Sequence, residues 1–213
     1  MLALTLLSTS INLTSLTQVW VPTQDWYLEW ARNSNAGRTI YSDFFVPFPP
    51  LYVDLYRLLL VFSDPLLASR VFNLIVFVLL TISLFCIAQV YASRNISLVI
   101  AVILAMTIAI DPTNTISGYW EFATMLSTWG VYFYLKGAST RNYVLSGVLV
   151  AAASLVKQNF VLVVMALVIY ELIRLIYAKH QTPKSPNAHL MGFTYSALTV
   201  YAIFSARLLV EGN

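Results

Sequence analysis

Charge is what this chain has least of. Only 10% of its 213 residues are Asp, Glu, Lys or Arg, against about 25% in a typical soluble domain. Hydrophobic residues make up 59%, and the mean hydropathy is +0.76. This imbalance excludes a soluble enzyme and puts the chain in a membrane. Cysteine is almost missing: the single Cys86 permits no intrachain disulfide and no cysteine-based metal site. The twelve Lys and Arg raise the pI to about 9.0, but they stand singly between apolar runs and form no basic stripe. A nucleic-acid partner is thereby excluded, and their placement reads as membrane topology. Internal repeats, low-complexity tracts and a second domain are lacking as well, so residues 1–213 read as one transmembrane unit.

What is present is a series of apolar runs. Residues 2–20 lack a preceding basic region and a clean cleavage site, and are expected to form an uncleaved first span, diluted by Ser8, Thr9, Ser10 and Asn12. Further spans are expected at about 66–91, 96–110, 120–135, 142–157, 160–177 and 190–209. The fold class is therefore all-α, a polytopic membrane helix bundle of about seven transmembrane helices. Its first external loop, about residues 21–64, is long and contains interfacial amphipathic helices. With simple alternation, Arg94, Lys136, Arg141, Arg174, Lys179 and Lys184 share one side with a single acidic residue, Glu171. Positive charge concentrates on cytoplasmic loops, so these residues are expected inside and the long loop outside. Such a multi-pass protein is expected in an inner (plasma) membrane. Pro50 to Phe62, about 13 residues carrying Asp54 and Arg57, is too short to cross and is expected to lie along the surface.

The loop opens on Gln24 to Arg32, where helical spacing puts Asp25 and Glu29 one turn apart and gives Trp26 and Trp30 a second, aromatic face. Gly37 is placed to end the helical region. On composition alone this is a surface anchor helix at the headgroup level, its charges solvated. Next, the run Tyr41 to Tyr52 is made extended and stiff by Pro47, Pro49 and Pro50.

Several motifs then converge: an Asp just after the first span, the Gly37 and Tyr41 segment, Pro49-Pro50-Leu51-Tyr52, Gly118-Tyr119-Trp120-Glu121 opening a span, and Leu155-Val156-Lys157-Gln158. Together, from about Asp25 to Leu175, they resemble the GT-C glycosyltransferases, polytopic enzymes that use lipid-phosphate-linked sugars, and in style the mannosyl- and arabinosyl-transferring families. The resemblance implies transfer of a sugar from a polyprenyl-phosphate donor to an acceptor hydroxyl on the external face, the acceptor being a glycan, lipid or protein. It implies catalytic roles for Asp25, as base, and for Glu121, with Lys157 and Gln158 at the donor phosphate. Glu29, Arg32, Tyr41 and Asp43 of the loop are candidate substrate-binding residues, with solvated salt bridges as the alternative. Usual members are longer, so the chain corresponds to their shared seven-span module, and a truncated, inactive transferase remains an open reading. No Asp-x-Asp pair occurs in the outer loops, and a divalent metal is at most weakly held, by Asp25 with Glu121.

Chemistry independent of the resemblance points the same way. Sugar transfer to a hydroxyl needs a carboxylate to take the proton and a cation for the departing phosphate. Lys157 lies between two apolar runs, where an ammonium is costly unless paired or at the interface, so a lipid phosphate suits it as well as snorkelling to the headgroups does. Glu121 at a helix start also suits the helix dipole. The rival class is a non-catalytic membrane protein, a transporter or assembly subunit. Transporters characteristically carry ionisable residues or breaks at mid-span, which these runs lack.

Overall fold

The computed structural model describes residues 22–47, 49–110, 118–137, 139–178 and 186–211, and these are helical almost throughout. The expected span at residues 2–20 lies outside the described residues. Helices α1 (Pro22–Asn35) and α2 (Leu51–Leu59) belong to the loop. Then come α3 (Pro65–Tyr91), α4 (Arg94–Ile110), α5 (Tyr119–Lys136) and α6 (Thr140–Val156), a 3-10 turn at Gln158–Phe160, α7 (Val161–Ala178) and α8 (Pro186–Glu211). Among the described residues the only β-type pairing is an isolated bridge between Ile40 and Phe44.

Two segments, Pro65–Tyr91 and Leu190–Val210, are long and apolar enough to cross a membrane. The remaining expected spans coincide with shorter helices; α4 and α6 have 17 residues each, about 25 Å of rise against a hydrocarbon core of about 30 Å. At nine residues α2 is far too short to cross.

Local sequence explains the boundaries. Asp64 caps α3, its carboxylate accepting from the Leu67 N–H at 2.9 Å, with Pro65 at the first position, where a missing N–H costs nothing. Ser139 caps α6 in the same way through the Asn142 N–H. Beyond α1, Gly37 takes φ +83, the left-handed conformation that ends helices.

Helix α6 is the centre of the bundle, packed between α5 and α8. Its buried positions include Ser146, Gly147, Ala151, Ala153 and Ser154, side chains small enough for backbones to approach closely. At Gly147 a Cβ would come within 2.3 Å of the Phe193 carbonyl oxygen of α8. Polar side chains join the helices: Ser83 with Thr128 at 2.6 Å, Ser154 with Tyr201 at 2.6 Å, and the Trp129 indole N–H donating to the Leu79 carbonyl at 3.1 Å. At the other end from the loop, fully buried Glu171 of α7 accepts from the Tyr134 hydroxyl at 2.5 Å and from Arg174 at 3.0 Å. By contrast, α4 packs chiefly on α3, through Ala101 against Phe85, and leaves Ile96, Val99, Ile103 and Met106 exposed, as a helix facing lipid does.

Candidate functional site

The loop helices dock on the N-terminal ends of α3 and α5 and the C-terminal end of α6. On α1, Tyr27, Leu28 and Ala31 form one buried face; on α2, Tyr52 and Tyr56, one turn apart, form another; Ala123 and Val156 complete the cluster from below. Tyrosine dominates it. The Tyr27 ring centroid is 5.0 Å from that of Tyr52 and 6.0 Å from that of Tyr119, and the Tyr52 hydroxyl donates to the Tyr56 hydroxyl at 3.3 Å. Burial, followed by electrostatic interaction with Tyr119 in the case of Tyr27 and with Tyr56 in the case of Tyr52, pushes these two hydroxyls well above their ordinary pKa, so they stay protonated donors.

Gly118 sets where α5 begins. Its φ is +64, and a Cβ there would lie 2.3 Å from Asn73 Oδ1 and 2.4 Å from Tyr52 Oη. Only glycine meets both demands, conformation and space. The turn it makes starts α5 with Tyr119, Trp120 and Glu121. Glu121 is 7% exposed, in the first turn, where the helix dipole favours its negative charge. Its charge is felt by Tyr27, Tyr52, Tyr56 and Lys157 alike.

Lys157 ends α6. Its ammonium lies 3.0 Å from the centre of the Trp120 ring and 4.8 Å from that of Tyr119, and donates to the Tyr119 hydroxyl at 3.3 Å. Burial lowers its pKa from the ordinary value, while the Glu121 carboxylate pulls the other way. The lysine is thus held by aromatic faces at the helix end, beside a buried carboxylate, rather than extended into water.

Of the residues singled out in the sequence, the structure brings together Glu121 and Lys157. Gln158 is exposed in the adjoining 3-10 turn. Asp25 lies in α1, but its side chain is outside the described residues. Glu29 and Arg32 form a 3.8 Å pair with each side chain about 60% exposed, on the solvent side of α1. Asp43 folds back on its own turn, accepting from the Thr39 N–H at 2.6 Å. Tyr41, at φ +72 and half exposed, shapes the same turn. Among the described residues no three His, Cys, Asp or Glu side chains converge as a metal site would require.

Sequence reasoning missed two features. Asn73 stands in the apolar run of α3, its only mark being polarity in the wrong place, and its amide lies beside the Tyr56 hydroxyl. The second is an ion cluster between elements far apart in the chain. Both terminal nitrogens of Arg207, near the end of α8, bond the two carboxylate oxygens of Asp54 on α2. Arg57 approaches the same carboxylate at 3.4 Å and donates to Asn35 Oδ1 at 2.8 Å. The cluster borders a cavity of about 780 Å³ whose apolar lining includes Leu51, Leu55, Phe122, Leu126 and Ala152.

In comparison with known proteins, the family described as dolichyl-phosphate-mannose-protein mannosyltransferase matches the chain over residues 49–208. No curated protein and no solved structure matches it.

Proposed function

The chain belongs to the dolichyl-phosphate-mannose-protein mannosyltransferase family of GT-C membrane glycosyltransferases, and from that membership we propose that it moves mannose from a polyprenyl-phosphate donor to an acceptor hydroxyl on the external face of a seven-span module. In the proposed step the acceptor oxygen forms a bond to the anomeric carbon as the bond from that carbon to the phosphate oxygen breaks. The hydroxyl proton passes to the Asp25 carboxylate, and the polyprenyl phosphate leaves with the bonding pair. Lys157 balances the charge on the departing phosphate, with Gln158 beside it as a further donor; Glu121 orients the acceptor. Glu29, Arg32, Tyr41 and Asp43 act as the outer rim that the acceptor crosses.

The observation that supports this most is the Lys157 ammonium, fixed over Trp120 and Tyr119 beside buried Glu121 where the loop helices meet α5 and α6. A cation preset by aromatic faces needs no reorganisation when phosphate charge develops. Such a placement is costly for a protein that gains nothing from it.

The test is mannosyl transfer from polyprenyl-phosphate mannose by the purified chain in nanodiscs. Asp25→Asn and Glu121→Gln are expected to lower turnover by about 10² or more, and Lys157→Ala to weaken donor use, with thermal unfolding of all three near wild type. Full turnover by the Asp25→Asn and Glu121→Gln proteins would falsify the assignment of roles.

A further inference from the structure

Resting on the role proposed for Glu121, we infer that Asn73 of α3 is a positioning residue for the transfer reaction: it draws the hydroxyl protons of Tyr52 and Tyr56 toward itself, so that they do not occupy the carboxylate that receives the acceptor. An amide is out of place where Asn73 stands. Its neighbours along α3 are Phe72, Leu74, Ile75 and Val76. Both of its polar atoms are buried, and among the described residues they have no hydrogen-bond partner other than the Tyr56 hydroxyl beside them. A buried amide so poorly served costs stability, and an apolar side chain of the same shape would not. Such a local conflict is characteristic of a functional position.

Two pairs, each one turn apart, face each other here: Ser69 and Asn73 on α3, Tyr52 and Tyr56 on α2. The Tyr56 hydroxyl meets both Ser69 and Asn73. The order of donation follows from the groups. Tyr52 donates to the Tyr56 hydroxyl at 3.3 Å, so the Tyr56 proton turns outward from the pair. Ser69 spends its own proton on the Leu66 carbonyl at 2.8 Å, and the amide oxygen of Asn73 is a better acceptor than a hydroxyl. The chain therefore runs from Tyr52 through Tyr56 to Asn73. Gly118 brings the carboxylate close to it. Asn73 Oδ1 and Tyr52 Oη both reach into the space a Cβ at position 118 would fill, and α5 starts there, the Phe122 N–H donating to the Gly118 carbonyl at 2.9 Å. The Glu121 charge is felt at both tyrosine hydroxyls. Without the amide the chain has no terminal acceptor and reverses, Tyr56 giving to Tyr52 and Tyr52 to Glu121, because a bond to a carboxylate is about twice as strong as a neutral one. The acceptor hydroxyl then has to break that bond before it can be oriented at the mouth where Glu121 and Lys157 meet.

Steady-state transfer by the full chain in nanodiscs tests this, with dolichyl-phosphate mannose as donor and a threonine-containing peptide as acceptor. Asn73→Leu keeps the shape and removes the amide. It is expected to lower kcat/KM for the acceptor by about tenfold, the worth of one hydrogen bond, with the donor KM unchanged and Tm at or above wild type. Tyr56→Phe breaks the same chain, so it lowers the acceptor kcat/KM alike, and the double variant loses no more than either alone. In the Glu121→Gln background neither substitution has a further effect. If Asn73→Leu lowers Tm and raises both KM values, the amide only holds the helices together and the proposal fails. Wild-type kinetics in Asn73→Leu, multiplied losses in the double variant, or an undiminished effect in the Glu121→Gln background overturn it as well. One readout needs no turnover: the infrared carboxylate stretch of Glu121, identified by its absence from Glu121→Gln, shifts in Asn73→Leu as a tyrosine proton turns onto it. An unmoved band overturns the proposal. A shifted band in a chain that shows no transfer overturns the reading of the reaction and leaves the hold of Asn73 on the Glu121 carboxylate standing. Should Asn73→Leu not fold, the band and the kinetics of Tyr56→Phe decide alone.

Discussion

Replacing Gly118 by alanine puts two separable loads on the start of α5. The first is conformational: φ +64 costs an L residue about 1–2 kcal/mol. The second is spatial, because the new methyl would sit 2.3 Å from Asn73 Oδ1 and 2.4 Å from Tyr52 Oη, and overpacking of that kind costs about 1–3 kcal/mol. Gly37 separates the two. At φ +83 with no atom within 4 Å of a built Cβ, Gly37→Ala bears the conformational load alone. Thermal unfolding in one detergent is therefore expected to show a fall of about 2–8 °C for Gly37→Ala and about 4–20 °C for Gly118→Ala, at about 2–4 °C per kcal/mol for a chain of this size. Transfer should separate them further. Relief of the clash moves Asn73, Tyr52 or the first turn of α5 that carries Glu121, and a misplacement of about 1 Å costs about 10²-fold in rate, whereas Gly37→Ala touches none of these groups. Equal Tm values for the two variants, or wild-type turnover by Gly118→Ala, would refute the packing argument.

The alkaline limb of the pH–rate profile should reflect Lys157. Since burial puts its folded pKa below 10.5, transfer is expected to decline at a lower pH than an ordinary lysine would give, and Lys157→Arg to move the decline upward; an unmoved limb rejects the lysine as the phosphate partner. The same lowered pKa leaves the unfolded chain holding the extra proton between the folded value and 10.5, so this group makes stability rise with pH across that window. Tyr134→Phe removes a donor to fully buried Glu171 and should cost about 1.5–3 kcal/mol in unfolding titrations with the donor KM unchanged; unaltered stability would show that Arg174 suffices.

How much of this was legible in the sequence depended on the distance over which each feature is specified. Helix positions came from apolar runs, a local signal, so α3, α5, α6, α7 and α8 begin and end within a few residues of the expected spans. The brevity of α2 followed from Asp54 and Arg57, whose charges bar it from hydrocarbon. Glu121 and Lys157 were readable because each charge interrupts or borders an apolar run. Their packing was not: nothing local indicates that Lys157 lies over Trp120, 37 positions earlier in the chain. Asp54 and Arg207 are separated by 153 residues, and only the fold makes them partners. The Glu29–Arg32 pair is a local, one-turn contact and was among the salt bridges the spacing offered, whereas the Asp43 carboxylate meets the Thr39 N–H through a turn that no periodicity marks.

The small-residue packing of α6 has a mechanical consequence. From Gly147, seated against the Phe193 backbone, to Lys157 is ten residues, a lever arm of about 15 Å. A tilt of about 5° at that fulcrum carries the lysine about 1.3 Å, enough by the same distance rule to change a rate by about 10²-fold. The tolerance of the mouth is thus set deep in the bundle, at a residue with no side chain. Whatever tilts α6 there, a thicker bilayer or a bulkier neighbour on α8, is amplified at the end where the charges meet.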